Sequence, residues 1–152
     1  MKNEHVANDP FDLNRFVEAQ EDDYEAALSE IKAGEKRTHW MWYIFPQIDG
    51  LGFSSMSRRY SIKSAAEART YLDHPVLGPR LVEITEAALG VEGRSARDIF
   101  GSPDDMKLKS SATLFASVMT PDSIFTRLLD KYFQGERDGE TLRLLGTASG
   151  KS

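Results

Sequence analysis

His39, Trp40, Trp42, Tyr43 and Phe45 fall within one short stretch, THWMWYIFPQ, residues 38–47. An imidazole can exchange a proton near neutral pH, and indole and phenol rings can stack on a planar ligand. The surrounding residues 36–63 carry Lys36, Arg37, Arg58, Arg59 and Lys63 against Asp49 alone, a net of +4. Cations among aromatics suit an anionic ligand that bears a ring, because guanidinium grips phosphate bidentately and aromatic faces stack on bases. The expected roles are Arg58 or Arg59 and Lys107 on the anion, with Trp42 and Tyr60 as stacking walls. Gln47 and Ser110 would supply polar contacts, and His39 or Asp105 would transfer protons. Gln20 is a further candidate for an orienting group.

The competing reading of each feature is structural. Read as a helix, the stretch aligns His39 with Tyr43, Trp40 with Ile44 and Met41 with Phe45, and its apolar residues face every direction. Such a helix is surrounded by neighbours, so most of its rings are core. A cationic His39 in the first turn would oppose the helix dipole, so it is expected to be neutral, exposed or paired with an anion. The basic residues can be solvated helix ends. DDMKLKSS, residues 104–111, offers Lys107 one turn before Ser110 and Ser111, with Asp104 placed to pair with Lys107 or Lys109. That stretch is either a phosphate- or carboxylate-binding edge or an ordinary solvated stripe.

The elements that must position these groups are legible from their start and stop signals. Asp12 is expected to cap a helix carrying Leu13, Phe16 and Val17, and Asp23 one carrying Tyr24, Ala27, Leu28 and Ile31 that stops at Gly34. Thr38 opens the aromatic helix and Pro46 ends it. GLGFSS reads as a loop and SMSRRY as a short turn. Ser64 with Glu67 forms a capping box, Pro75 starts a helix lined by Leu77, Leu81, Ile84 and Leu89, and Ser95 with Asp98 caps a short helix ending at Gly101. Ser102-Pro103-Asp104-Asp105 opens a helix to about Met119, and Thr120-Pro121-Asp122 opens another; a last helix covers roughly 139–145. Period-two alternation is nearly absent. The expected fold is all-α, about eight short helices around a central aromatic helix. Residues 10–146 would form one domain, with flexible ends at 1–9 and 147–152.

Composition narrows the function classes. The 152 residues carry a net charge of −5, and residues 1–35 alone hold ten acidic against three basic side chains. With a sequence pI near 5.2 and no basic recognition helix, nucleic-acid binding is disfavoured. No apolar run is long enough to span a membrane, and the N-terminus lacks the apolar core of a signal peptide. The chain has no cysteine and three scattered histidines, so a structural zinc site is not expected; the lack of cysteine fits a cytoplasmic location. No cofactor motif is present. GTASGKS has only three residues between Gly146 and Gly150, one short of a phosphate loop, and S-x-x-K at Ser29 and Lys32 sits mid-helix without its companion motifs.

Five stretches, DPFDLNRFVEAQ, THWMWYIFPQ, LGFSSMSRRY, YLDHPVLGPRL and FGSPDDMKLKSSATLF, occur here in an order and spacing that resemble the bacterial "domain of unknown function 1810" family. Its members are sometimes labelled calpastatin-like. The resemblance runs from about Asp9 to Leu145 and implies a mainly helical fold, with no established activity. An inhibitor that wraps its protease would be rich in disorder, whereas this chain is dense in caps and core aromatics. Two functions are therefore expected to compete. One is a site that binds, or binds and processes, a small anionic nucleotide-like ligand. The other is a helical protein–protein module presenting Phe53 and Met56 or the acidic first two helices.

Overall fold

The computed structural model describes residues 9–148. Among them are ten helices and no strand. They are α1 (Asn14–Glu21), α2 (Tyr24–Lys32), α3 (Met41–Ile44), α4 (Ser55–Arg59), α5 (Ala65–Asp73), α6 (Leu77–Leu89), α7 (Ala96–Phe100), α8 (Asp104–Ala116), α9 (Ile124–Phe133) and α10 (Gly139–Ala148). The all-α expectation holds. The count exceeds the expected eight or so; SMSRRY, expected as a short turn, contributes the helix α4. The expectation of flexible ends falls for the most part outside the described residues.

The helix with the longest buried run is α8. From Leu108 to Ala116 every residue is buried, and α5, α7, α9 and α10 pack around it. Its sequence hides this because Lys109, Ser110, Ser111 and Thr113 lie in that run. The polar atoms are satisfied locally, since the Ser110 and Thr113 hydroxyls donate to the Met106 and Lys109 carbonyls at 3.2 and 2.8 Å. Hydroxyls that bond back to their own helix can be buried at little cost. Lys109 lays its stem inside and sends its ammonium out to Glu136 at 2.6 Å.

A relay of rings crosses the interior from α4 to α9. Tyr60 packs on Phe16 at 5.8 Å, Phe16 on Tyr71 at 5.1 Å, Tyr71 on Phe115 at 5.4 Å and Phe115 on Phe125 at 5.6 Å. Burying each such side chain contributes roughly 1.5–3 kcal/mol, so this relay is the main apolar tie between helices distant in sequence. Gln20 is the polar knot beside it. Its amide donates to the Tyr43 carbonyl and the Tyr71 hydroxyl and accepts from Arg80, which satisfies a side chain only 1% exposed.

The aromatic stretch forms one turn of helix rather than two. Residues 36–40 are held off the helical path by the Lys36 N–H bond to the Ile99 carbonyl and by Glu30, whose carboxylate accepts from four donors. His39 therefore precedes the helix, exposed, instead of occupying its first turn. Trp40, Met41, Tyr43, Ile44 and Phe45 are buried as expected, and Trp42 is half-buried. After Pro46 the chain pairs once with residue 62 as a parallel bridge, Ile48 to Ile62.

Several caps differ from the sequence reading in which residue acts. Asp9, not Asp12, caps α1, accepting from the Leu13 and Asn14 N–H groups at 2.7 and 2.9 Å. Asp23 is the N-cap residue of α2, but its carboxylate accepts from the Tyr43 hydroxyl instead. At α6 the start lies two residues beyond Pro75, and the His74 ring nitrogen Nδ1 accepts from the Val76 and Leu77 N–H groups. α8 ends at Ala116, short of Met119. α9 opens at Ser123 rather than Thr120, with the Ser123 hydroxyl taking the Thr126 N–H. The Ser95–Asp98 capping box is complete.

Candidate functional site

A cavity of about 430 Å³ opens where the segment before α1, the end of α4 and the beginning of α5 meet. It is lined by Pro10, Phe11, Asp12, Arg15, Arg59, Lys63 and Glu67. Arg15 holds these segments together. Its Nε donates to the Arg59 carbonyl at 2.8 Å, and one amino nitrogen donates to the Phe11 and Asp12 carbonyls at 2.7 Å each. The other donates to the Ser61 carbonyl at 2.8 Å and the Glu67 carboxylate at 2.9 Å. Arginine has five N–H donors, and here all are used. Arg15 can lend its charge to a ligand but no hydrogen bond.

Glu67 is 1% exposed and equally occupied. The expected capping box is half formed: the Ser64 hydroxyl accepts from the Glu67 N–H at 3.1 Å, but the Glu67 carboxylate takes the Lys63 N–H at 2.8 Å and Arg15 rather than the Ser64 N–H. The two buried charges offset one another, and the cations left at the cavity are Arg59 and Lys63. Arg59 donates through Nε to the Tyr60 hydroxyl at 3.1 Å, and the two amino ends of its guanidinium bond no group among the described residues. The Tyr60 hydrogen bond, then the field of Tyr60 and smaller contributions from Asp12 and Glu18, hold Arg59 further toward its charged form. Lys63 reaches the Ser61 hydroxyl at 2.9 Å and keeps donor capacity.

Other residues singled out by type and spacing lie elsewhere. Trp42 and Lys107 meet each other, the ammonium 5.5 Å from the indole centroid. Beside them the Asp104 carboxylate is 2.9 Å from Lys36 and 3.5 Å from Lys107, and Lys36 also lies 4.9 Å from the Trp40 ring centroid. Asp105 accepts from the Met106 N–H at 2.9 Å, and the Ser110 hydroxyl is spent on its own helix. The Gln47 carbonyl takes the Ile62 N–H at 2.8 Å, which anchors the bridge next to Arg59 and Tyr60 in sequence. Arg58 is exposed, with its carbonyl accepting from the Ser61 hydroxyl at 3.0 Å. The expected residues thus divide: Arg59 lines the cavity with Tyr60 as its support, Trp42 and Lys107 form a second cluster, and His39, Gln47, Asp105 and Ser110 line neither wall of that cavity.

Tyr43 lies between these places. Its ring packs on Tyr60 at 5.2 Å, and its hydroxyl donates to Asp23 and lies 3.3 Å from the His39 carbonyl. Burial first, then the Asp23 hydrogen bond, push its ionisation well above the ordinary range. It is therefore a fixed donor at neutral pH. Glu30 shows the opposite balance. Burial raises it, but hydrogen bonds from the Thr38 hydroxyl, the Arg37 N–H, the Trp40 indole and the Thr38 N–H outweigh burial and hold it at about 2.

Sequence reasoning missed Phe11, Asp12, Arg15, Lys63 and Glu67 as site residues. The local signals in DPFDLNRF are a cap and an apolar spacing, and those of Lys63 and Glu67 are a charge and a capping pair. The signal that could have raised them was an arginine among the apolar residues of a helix start, where burial demands partners. Among the described residues no group of His, Cys, Asp or Glu is arranged to hold a metal ion, and no helix is long and apolar enough to cross a membrane.

The fold and cavity define a small all-α protein with a basic cleft supported by a buried ion pair. The chain belongs to the family of proteins of unknown function DUF1810, whose model matches residues 10–145. It is similar to a solved structure, the conserved hypothetical protein Rv1873 from Mycobacterium tuberculosis, at 51% identity and a TM-score of 0.89. That match covers 91% of this chain and 99% of the other. No curated protein matches the chain.

Proposed function

We propose that this protein binds a small anionic, nucleotide-like ligand in the cavity between α1, α4 and α5. The observation that carries this is the division of labour among its three cations. Arg15 is saturated and structural, while Arg59 and Lys63 retain donors at the same cavity. Phe11 lines the same cavity. The volume of about 430 Å³ lies within the range of small-molecule sites, which run to roughly 300–1,000 Å³. Trp42 and Lys107, held together at a second place, are not required for this anion contact, and His39 and Asp105 have no role in binding at the cavity.

A thermal-shift panel of nucleotides and sugar phosphates tests the idea. A ligand that binds only the folded chain raises the melting temperature, the more so the further its concentration exceeds its dissociation constant. At least one anion should stabilise the protein, and Arg59→Ala should abolish the response. If no compound shifts the melting temperature, or if Arg59→Ala responds as the parent does, the binding reading is lost.

A second reading rests on Phe53, which is 76% exposed in the GLGFSS loop. A large apolar side chain held in water on a glycine–serine loop can seat on another protein. Affinity capture with the parent and with Phe53→Ser addresses it. A stoichiometric partner that is lost with the variant supports an interaction module, and capture of no partner counts against it.

A further inference from the structure

The cavity contains one carboxylate that the fold does not use. Glu67 is consumed by Arg15 and the Lys63 N–H, and Asp9 by the cap of α1. Asp12 lines the cavity, its side chain bonds no group among the described residues, and its backbone sits at φ 53°. That is the left-handed region, which most residues with a Cβ avoid and which Asp and Asn tolerate best. The turn is held there by the Asp12 N–H on the Asp9 carbonyl at 3.1 Å and by Arg15 on the Asp12 carbonyl. The result is a carboxylate lining the same cavity as two cations.

A purely anionic ligand would gain from Arg59 and Lys63 and be repelled by Asp12. A ligand that presents both an anion and hydroxyl donors is served by all three, since an ionised carboxylate accepts hydrogen bonds and a vicinal diol offers two O–H groups to its two oxygens. Resting on the reading of the cavity as an anion site, we propose that its ligands are phosphorylated riboses. The phosphate is held by Arg59 and Lys63, and the 2′- and 3′-hydroxyls donate to Asp12. The site then selects ribonucleotides over 2′-deoxyribonucleotides and over inorganic phosphate.

Isothermal titration of 5′-AMP and 2′-deoxy-5′-AMP into the full chain tests this. Losing one hydrogen bond to a charged acceptor corresponds to a weakening on the order of tenfold, so the ribonucleotide should bind about tenfold more tightly. Asp12→Gly removes the carboxylate at a φ that glycine adopts freely, and should bring the two affinities together. Asp12→Asn keeps the left-handed turn with a neutral acceptor, and should retain part of the preference. Equal affinities in the parent, both abolished by Arg59→Ala, would overturn the ribose assignment while leaving the anion site intact. Binding of neither nucleotide would overturn both. A preference that survives Asp12→Gly would overturn the role of Asp12.

Discussion

Arg15 and Glu67, 52 residues apart in sequence, meet at 2.9 Å with Glu67 only 1% exposed. Buried ion pairs are often replaceable by apolar residues without loss, because desolvation cancels much of the attraction. This pair differs because each member also satisfies backbone: Arg15 four carbonyls, and Glu67 the Lys63 N–H.

Removing either partner should therefore be severe. Arg15→Met or Glu67→Gln should each cost about 3–5 kcal/mol in urea unfolding, the usual range for breaking a buried pair from one side. The double apolar variant, Arg15→Met with Glu67→Leu, should not recover the loss, since it strands the same backbone groups. Recovery to the parent stability would show that the pair is an isolated one.

Gly78 in α6 is expected to reverse the ordinary rule for helical glycines. Replacing an interior helical glycine with alanine usually stabilises by about 1 kcal/mol. Here an added Cβ would lie 2.0 Å from the Leu72 carbonyl oxygen, a backbone atom that cannot swing aside. Gly78→Ala should destabilise by about 2–3 kcal/mol, as overpacking does, measured by thermal or urea unfolding.

Glu30 predicts acid sensitivity of the aromatic stretch. Its carboxyl is lowered from the ordinary 4.5 to about 2, so the folded state favours the charged form. That stabilisation is present above about 4.5 and is lost as pH falls toward about 2. Glu30→Gln should flatten the pH dependence of stability in that window. It should also change Trp40 fluorescence, because the indole N–H loses its charged acceptor.

His74 gives a second pH dependence, in a higher window. Burial lowers its ionisation below the ordinary 6.5, with Asp9 acting weakly the other way. The neutral ring is the form that accepts from Val76 and Leu77. Stability should be complete above about 6.5 and decline as pH falls through the lower folded-state value. His74→Asn, which keeps a cap acceptor without a titrating group, should remove that decline in urea unfolding followed between neutral and mildly acidic pH.

The helical framework was legible because its punctuation is local. A serine three residues before an acid, or apolar residues at 3.6-residue spacing, report on the turn that contains them, and Ser95–Asp98 and the Tyr24, Ala27, Leu28 and Ile31 face of α2 behave so. Cap identity was less legible where two acids compete: Asp9 and Asp12 both precede α1, and the Asp9 carboxylate takes the helix N–H groups while Asp12 turns left-handed. α8 was hard to read as buried because its hydroxyls look polar in sequence yet bond to carbonyls one turn back. The cavity was the least legible feature. It joins residues 10–15 to residues 59–67, and no spacing rule links stretches so far apart. Arg59 stands at the cavity, whereas Trp42 and Lys107, from separate stretches of the sequence, pair with each other.

Ligand binding at the cavity should weaken with salt, because Arg59 is exposed and the field that draws an anion to it decays over a screening length of roughly 8–10 Å at ordinary ionic strength. Lys63→Ala should raise the dissociation constant about 10- to 100-fold by calorimetry, the loss expected for a charge-assisted hydrogen bond, and Arg59→Ala should remove measurable binding.

The most direct test of the cavity as an anion site is a residue-resolved titration of the isotopically labelled chain with 5′-AMP, followed by amide chemical shifts. Saturable shifts concentrated at Phe11, Asp12 and residues 59–63 are predicted, and they should vanish in Arg59→Ala with the remaining spectrum intact. Shifts centred on Trp42 and Lys107 with the cavity amides silent, or no saturable shift at all, would contradict the account.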